Sequence, residues 1–567
     1  MICPLASCLS PTGLTFCLPL PLAAALGRLD IGVTVAYLLL IVGLGVGVGL
    51  RHRRRGGEAK EYFLAGGTLR WPMIGLALFA TNISCVHLVS LAQTGFDNGL
   101  LYGNFEWMAA FTLVLLALFF APFYIRSRVA TLPDFLEQRY SRRCRDWLAV
   151  LSVASAVTVH IGFSFVTGGI VLEDLFDIPM MTSIVGIGLL TGLYTAVGGL
   201  MAVVLTESIQ TVVLVGGAML ITWFAWDKMG GWQPMVETLR AHGEMKKLSM
   251  LPTGGLDTLS WYAVFLGYPV LGIWYWCADQ TIVQRVLGAK DVNHARVGPL
   301  FAGLIKILPV FIFVLPGLLA YTLYLSGKLD LSSMEGPEGL NTKGVYGAMI
   351  TQLLPPGLIG ILVAALLAAL MSTVSGALNS ISTLVSYDLV RRFRPQTADH
   401  HLVIIGRITA VAAVLAAIAL VPLLNRYESL FLGVNEIIAH LAPPVTCVFM
   451  LGVFWKRASA FSAELTLWLG SALGVAVFVI NKTMGDASPL AGIHFMMMAF
   501  FLLMACVLIQ VLASVLWPAV HTERSRQLVW DKPWTPLLDK GWTGLGDHRF
   551  LAAMLLGTMA ILYFIFH

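Results

Sequence analysis

Long apolar blocks separated by short polar stretches run through the chain. A helix of about 20 residues, rising 1.5 Å per residue, crosses the roughly 30 Å hydrocarbon layer of a bilayer. The block Ile31–Leu50 reaches that length and carries no charged residue. Similar blocks lie near 30–50, 70–96, 100–123, 147–172, 178–199, 201–226, 258–282, 297–324, 344–388, 402–424, 428–453, 459–480, 491–517 and 548–566. The pattern predicts an all-α integral membrane protein with about 14 transmembrane helices.

Composition and charge agree with a membrane location. The chain is 58% hydrophobic and only 12% charged, against about 25% charged in soluble domains. With the amino terminus outside, the basic loops 51–55, 126–145 and 391–394 all face the inside, as the positive-inside rule requires. The net charge of +5 therefore reflects orientation in a bilayer, and we expect no nucleic-acid partner.

The chain divides into a short extension and one long apolar unit. Residues 1–29 contain Cys3, Cys8, Cys17 and several prolines, but lack the positive start of a secretory signal peptide. We interpret them as an N-terminal extension of unassigned role. We expect residues 30–567 to form a single transmembrane domain.

Several ionisable residues fall inside or at the edges of the apolar blocks. A charge near the bilayer centre costs at least about 2.5 kcal/mol, so each one needs a physical reason. Any one of them could be a structural pair or a side chain reaching the interface. Their spread over separate blocks favours a polar cavity between helices. They are His87, Glu106, Glu207, Asp279 and Lys306.

The segment 266–272 carries Gly267, Pro269 and Gly272 within an apolar block. Proline removes a backbone donor, so we expect the helix to be broken here, as transporters break helices at binding sites. Tyr275 and Trp276 follow directly, and aromatic faces suit the C–H faces of a sugar. Core packing is the alternative reading of these rings.

Ala369, Ser372 and Thr373 share one helical face, since they lie at positions i, i+3 and i+4. Hydroxyl and carbonyl oxygens are ligands that hard cations accept. This face could therefore help to hold a sodium ion. The alternative is that both hydroxyls bond back to the carbonyls of their own helix.

The sequence resembles the sodium/solute symporter family, and within it the sodium/glucose and sodium/galactose cotransporters. The similar motifs are Leu76–Ser84 running on to His87, Asn104–Trp107, Trp274–Gln280, and Leu370–Thr373 followed by Asn379 and Ser380. The resemblance extends from about residue 30 to 567. It implies sodium-coupled symport of a sugar or polyol, glucose- or galactose-like, into the cell through the plasma membrane.

The resemblance also implies a LeuT-like fold of five plus five helices in inverted repeats. The repeats would span about 70–226 and 258–453. A helix break in the first repeat, within 80–84, rests on the resemblance alone because this stretch contains neither glycine nor proline.

Site residues are implied in the same way. The sodium site would use carbonyl oxygens of Ala80, Ile83 and Ala369 with the hydroxyls of Ser372 and Thr373. The solute site would use Asn82, His87, Glu106, Tyr275, Trp276, Lys306 and Asn435. Tyr275 would be an aromatic gate on the inner side, and Asn435 stands where sugar transporters usually have glutamine.

Glu207 stands where transporters that move two sodium ions have aspartate. With Thr81 and Thr373 it could form a second sodium site. The alternative is a structural carboxylate held by water or by a nearby arginine.

Two alternatives stay open, another solute and a sensor. The same fold could carry myo-inositol, a sialic acid or another carboxylate, and Lys306 could serve an acid. The chain could also sense sodium and sugar without transport. We expect no enzyme activity, because His400 and His401 lack a partner at metal-ligand spacing and no nucleophile motif occurs.

Overall fold

The computed structural model describes residues 27–53, 59–176, 178–336, 339–427, 430–518 and 520–567. Most of the predicted extension, with its three cysteines, lies outside these residues, as do Arg54 and Arg55 of the first basic loop. Within the described ranges, 11 helices are long and apolar enough to cross a membrane, judged by length and composition.

The helices, in chain order, are α1 Arg28–Arg53, α2 Ala59–Leu64, α3 Trp71–Asn82, α4 Cys85–Asn98, α5 Asn104–Leu115, α6 Ala121–Ser127, α7 Leu132–Arg139, α8 Arg142–Ser155, α9 Phe163–Phe176, α10 Met180–Met229, α11 Trp232–Ala241, α12 Trp261–Ile273, α13 Gln280–Leu287, α14 Val292–Ile305, α15 Leu315–Leu325, α16 Val345–Leu353, α17 Leu358–Leu384, α18 Arg391–Phe393, α19 Asp399–Leu424, α20 Leu430–Phe454, α21 Ala460–Met484, α22 Phe495–Leu516, α23 Glu523–Arg526, α24 Thr535–Leu538 and α25 His548–Ile565. A two-stranded antiparallel sheet pairs β1, Glu335–Gly336, with β2, Gly339–Leu340.

The number of membrane crossings stays a prediction. Helix α10 is 50 residues long, more than twice what one crossing needs, and Gly199 interrupts it with a φ of 61°. A continuous apolar helical stretch also runs over 43 residues, Cys85–Ser127. Stretches of this length can contain two of the predicted spans.

The break expected in the first repeat is present. Helix α3 ends at Asn82, and Ile83 is extended, with φ −80° and ψ 106°. Ser84 then starts α4, because its hydroxyl accepts the Val86 N–H at 3.2 Å. The break is therefore produced by a strong helix N-cap.

The break predicted at 266–272 is wrong in position. Helix α12 continues through Pro269 to Ile273, is followed by a π-helical segment, and the chain becomes extended only at Asp279. A Cβ on Gly267 would lie 2.3 Å from the Met496 carbonyl oxygen of α22. This glycine thus serves close helix packing, which is its common role in membranes.

Helix α17 is buried along almost its whole length and packs against α10, α1 and α3. Two glycines of α1 allow its approach to α10. A Cβ on Gly45 would lie 2.9 Å from the Tyr194 Cβ, and one on Gly49 would lie 2.5 Å from the Val197 carbonyl oxygen. The broken helix α3–α4 lies within the first predicted repeat, 70–226, and α12–α13 lies within the second, 258–453; the repeats themselves stay a prediction.

A carboxylate outside the apolar spans ties the loop before α25 to two helices. Asp539 Oδ2 accepts hydrogen bonds from Arg126 Nη2 at 2.6 Å and Arg296 Nη2 at 2.7 Å. Burial would raise the pKa of Asp539, but the hydrogen bonds and charges of the two arginines outweigh it and lower that pKa below its ordinary value. The charged form is therefore favoured in the folded protein.

Candidate functional site

A cavity of about 100 Å³ lies where the two broken helices face α5, α9 and α20. It has room for several water molecules or part of a small solute. Its wall includes six of the predicted solute-binding residues: Asn82, His87, Glu106, Tyr275, Trp276 and Asn435. The structure thus brings together side chains that are far apart in sequence.

Lys306 lies behind this wall. Its Nζ donates hydrogen bonds to Glu106 Oε2 and to Asn82 Oδ1, and the Lys306 and Glu106 side chains are 1% and 2% exposed. The ammonium also lies 5.7 Å from the centre of the Trp276 ring. Its charge is therefore matched within the protein, and it fixes one oxygen of Glu106 and the amide oxygen of Asn82.

His87 presents a donor to the cavity. Its Nδ1 accepts the Ser84 N–H at 3.2 Å, so in the neutral ring Nε2 carries the proton. His87 Nε2 lies 3.8 Å from Glu106 Oε1, too far for a direct hydrogen bond. The imidazole N–H and the second carboxylate oxygen thus remain able to bind a hydroxyl group.

His160 is a cavity residue that the sequence analysis missed. Its Nε2 lies 3.2 Å from Asp279 Oδ2, and both side chains are 3% exposed. Asp279 Oδ1 accepts the Ile282 N–H at 3.3 Å and so starts α13. The available signal was a histidine within the apolar block 147–172, opposite an acidic residue that had already been selected.

Aromatic and amide groups complete the wall. The Tyr275 and Trp276 rings meet edge to face, with centroids 5.2 Å apart. Asn435 Nδ2 donates to the Phe431 carbonyl at 2.8 Å, which leaves its amide oxygen to accept a hydrogen bond. The cavity therefore combines apolar faces with donors and acceptors, as a sugar requires.

A second set of oxygens joins α17 to the end of α3. Ser372 Oγ donates to the Ala80 and Ala369 carbonyls at 2.8 and 3.1 Å. Thr373 Oγ1 donates to the Thr81 and Ala369 carbonyls, both at 3.2 Å. The hydroxyls thus bond to their own helix and also reach α3.

This arrangement suits a hard monovalent cation. The α3 carbonyls lie at a helix C-terminus, where the helix dipole favours positive charge. Ile83 follows this helix end, and its N–H donates to the Phe79 carbonyl at 3.0 Å. The role of the Ile83 carbonyl as a ligand stays a prediction.

Glu207 lies next to this cluster and is paired with an arginine. Arg285 donates to Glu207 Oε1 from Nη2 at 2.5 Å and to Oε2 from Nε at 3.3 Å, and both side chains are 0% exposed. Thr81 Oγ1 donates to Glu207 Oε1 at 2.9 Å. A Cβ on Gly376 would lie 2.4 Å from Arg285 Nη2, so this glycine makes room for the pair. The sequence analysis gave pairing with a nearby arginine as the alternative role of Glu207, but did not identify Arg285.

Comparison with known proteins agrees with this geometry. A sequence profile described as the sodium:solute symporter family matches residues 62–470. Sodium/glucose cotransporter 1 from Oryctolagus cuniculus is 30% identical over 504 residues, which are 83% of this chain and 76% of the relative. A sodium/mannose cotransporter from Bos taurus is 32% identical over 508 residues, 84% of each chain. Sodium/myo-inositol cotransporter 2 from Oryctolagus cuniculus is 31% identical over 515 residues, 85% of this chain and 76% of the relative.

A solved structure shows the fold. The chain aligns with a Na⁺-coupled sialic acid symporter in a substrate-bound outward-open state, with a TM-score of 0.75 and 22% identity, over 88% of this chain and 100% of that one. The predicted fold class, an all-α membrane protein of LeuT-like type, is confirmed.

Proposed function

This chain belongs to the sodium:solute symporter family, and on that premise we propose that it uses a sodium gradient to carry a neutral sugar or polyol into the cell. It is a multi-pass membrane protein, which we place in the plasma membrane. Its relatives include cotransporters named for glucose, mannose and myo-inositol.

The proposal of a neutral solute rests on the pairing of the Lys306 ammonium with the Glu106 carboxylate. A carboxylate solute needs a free cation at the cavity wall to offset the cost of removing its charge from water. Among the cavity-lining residues that the structure describes, there is no lysine or arginine, and the Lys306 ammonium is held by Glu106 and Asn82. These observations favour a hexose or polyol over a sialic acid or another carboxylate.

The residue roles follow from the hydrogen-bonding groups that remain. Glu106 Oε1 and the Asn435 amide oxygen accept hydroxyl protons, while His87 Nε2 donates to a hydroxyl oxygen. Trp276 offers its face to the C–H groups of the solute, and Tyr275 closes the cavity beside it. Lys306 orients Glu106 and Asn82 from behind the wall.

Sodium at Ser372 and Thr373 would couple to the solute through the end of α3. The ion replaces hydroxyl hydrogen bonds to the Ala80 and Ala369 carbonyls and holds α3 against α17. Asn82 is the last residue of α3 and contacts Lys306. Fixing this helix end therefore positions part of the solute site, as an outward-open state that accepts solute requires.

We further propose that one sodium ion moves with each solute molecule. The Arg285 side chain forms an ion pair with Glu207 and so provides the positive charge that a second sodium ion would otherwise provide. One sodium is sufficient, since about 2.3 kcal/mol per 100 mV and about 1.4 kcal/mol per tenfold gradient sustain a roughly 500-fold solute gradient. The second sodium site at Glu207 and Thr81 remains the alternative, and the charge measurement in the Discussion distinguishes the two.

Uptake into proteoliposomes tests the proposal. The purified chain is given an inward sodium gradient with radiolabelled glucose, galactose, mannose, myo-inositol or a sialic acid, and potassium replaces sodium in the control. We expect sodium-dependent accumulation of at least one neutral solute in unmodified form. Sodium-dependent uptake of the acid alone would overturn the solute class, and sodium-dependent binding without accumulation would indicate a sensor.

A further inference from the structure

Helices α1, α10 and α19 leave a groove of about 350 Å³ on the outside of the helix bundle. Its walls are apolar and open to the surroundings, since Leu189 and Leu415 are 58% and 59% exposed. A single charged residue, Arg407, lies among the lining residues. The groove shares no lining residue with the solute cavity.

Arg407 lies at the end of the groove that faces the basic loops. It is eight residues into α19, about 12 Å along the helix from Asp399. Helical side chains lean toward the helix N-terminus, so the guanidinium points to that membrane surface. Leu50, beside it in the groove, directly precedes Arg51 of the first basic loop.

The Arg407 charge lacks a carboxylate partner in the described part of the chain. Its Nε donates to the Ala196 carbonyl at 2.9 Å, and its Cζ lies 5.6 Å from the centre of the Tyr62 ring. No ion pair within 4.0 Å involves this guanidinium among the described residues. The Tyr62 hydroxyl is a further polar neighbour of the guanidinium. The remaining N–H groups of the planar fork have a geometry that fits phosphate oxygens.

We propose that this groove is a specific site for one phospholipid with an anionic headgroup, taken from the leaflet that borders the basic loops. The lipid phosphate accepts hydrogen bonds from the Nη groups of Arg407. One acyl chain lies along Gly188, Gly192 and Leu415 toward the bilayer centre. Anionic lipids are attracted to basic pockets between transmembrane helices at this surface.

The exposed walls of the groove support an acyl chain as the occupant, because Leu189 and Leu415 leave apolar side chains to the bilayer. Gly192 lies at the buried floor, where a Cβ would make an ordinary contact, 3.6 Å from Val414 Cγ2 of α19, so a longer side chain at this position would extend into the groove. A second copy of the chain could also use small residues for packing. It would leave Arg407 without an anion, and the charge therefore favours the lipid.

Native mass spectrometry of the delipidated, full-length chain tests the site. Phosphatidylglycerol and phosphatidylcholine are titrated separately, and bound lipid is counted. We expect one phosphatidylglycerol to bind tightly, and Arg407→Gln to weaken this binding by about tenfold, the cost of losing a charge-assisted contact. Arg394→Gln, an exposed arginine near the same surface, is the matched control and should bind like the parent.

A second pair of variants tests the acyl-chain groove. Gly192→Leu fills the groove and should weaken phosphatidylglycerol binding, whereas Gly216→Leu adds the same side chain to open space elsewhere on α10 and should not. Correct folding is checked by the melting temperature of each variant. Equal lipid binding in Arg407→Gln and the parent, displacement of the lipid by inorganic phosphate alone, or a dimer that covers the groove would each overturn the proposal.

Discussion

Replacing Lys306 by methionine separates the structural and binding roles of the buried pair. The side chains have similar length, but Lys306→Met leaves the Glu106 carboxylate 2% exposed without its cation. The nearest remaining partner is His87 Nε2, at 3.8 Å. Removing one member of a buried pair typically costs about 3–5 kcal/mol, or at least two orders of magnitude in an equilibrium constant. We expect a large fall in melting temperature and loss of solute binding.

The double variant Glu106→Gln/Lys306→Met should recover most of the stability but not the binding. It removes both charges, so neither is left buried and unpaired. We expect a coupling of at least about 2 kcal/mol in the double-mutant cycle. Solute affinity should stay low because the charge-assisted hydrogen bonds to hydroxyl groups are gone.

Thermal unfolding and equilibrium binding of the proposed solute, both at saturating sodium, measure these effects. Lys247→Met is the matched control: this lysine is also buried, but its Nζ bonds to the Phe96 and Asp97 carbonyls outside the cavity. It should leave solute affinity unchanged. Additive stability losses in the two single variants, or parent-like solute binding by the double variant, would refute the reasoning.

Four further outcomes are expected. Thr373→Ala should raise the sodium concentration for half-maximal uptake by about tenfold. Thr322→Ala, which removes a buried hydroxyl of α15, should not change it. Equal sodium dependence in Thr373→Ala and the parent would exclude Thr373 as a ligand. Reversal potentials should show that one charge moves with each solute molecule in the parent and in any active Glu207→Gln protein. Two charges per solute in the parent and one in Glu207→Gln would instead establish the second sodium site. His160→Ala should weaken solute binding, because it frees the carboxylate that starts α13, and unchanged affinity would exclude this role. Asp539→Asn should lower the melting temperature at pH 7, where the carboxylate of the parent is charged. Because the folded-state pKa of Asp539 is lowered, the difference in melting temperature between the two proteins should disappear as the pH falls below about 4. A difference that stays constant with pH would contradict the pairing with the two arginines.

The membrane class and the shared helical face of Ala369, Ser372 and Thr373 could be predicted because both depend on local periodicity, while a sodium ion at this face stays a prediction. Block length alone indicated the spans, and the spacing of Ala369, Ser372 and Thr373 placed their oxygens on one face of α17. The hydrogen bonds confirm that shared face. Their contact with the carbonyl end of α3 came only from the resemblance, since it joins residues 292 positions apart.

The positions of the helix breaks could not be read from glycine and proline. Pro269 is accommodated within α12, while one break lies at Ile83, just before the N-cap Ser84, and the other at the N-cap Asp279 itself. Capping residues can be recognised in a sequence. In an apolar block, however, a serine that caps a helix cannot be distinguished from the many serines whose hydroxyls bond to carbonyls of their own helix. The pairing of Glu207 with Arg285 was equally hidden, because it depends on tertiary packing rather than on spacing.

The two nitrogens of His87 connect the proposed solute site to a backbone amide whose hydrogen exchange can report whether the site is occupied. One nitrogen holds the Ser84 amide at the start of α4. A hydroxyl oxygen that accepts a hydrogen bond from the N–H at the other nitrogen polarises the ring and strengthens that first bond, since hydrogen bonds in a chain reinforce one another. Occupancy of the cavity would thus slow deuterium exchange at the Ser84 amide, a signal that needs neither a labelled solute nor a transport assay.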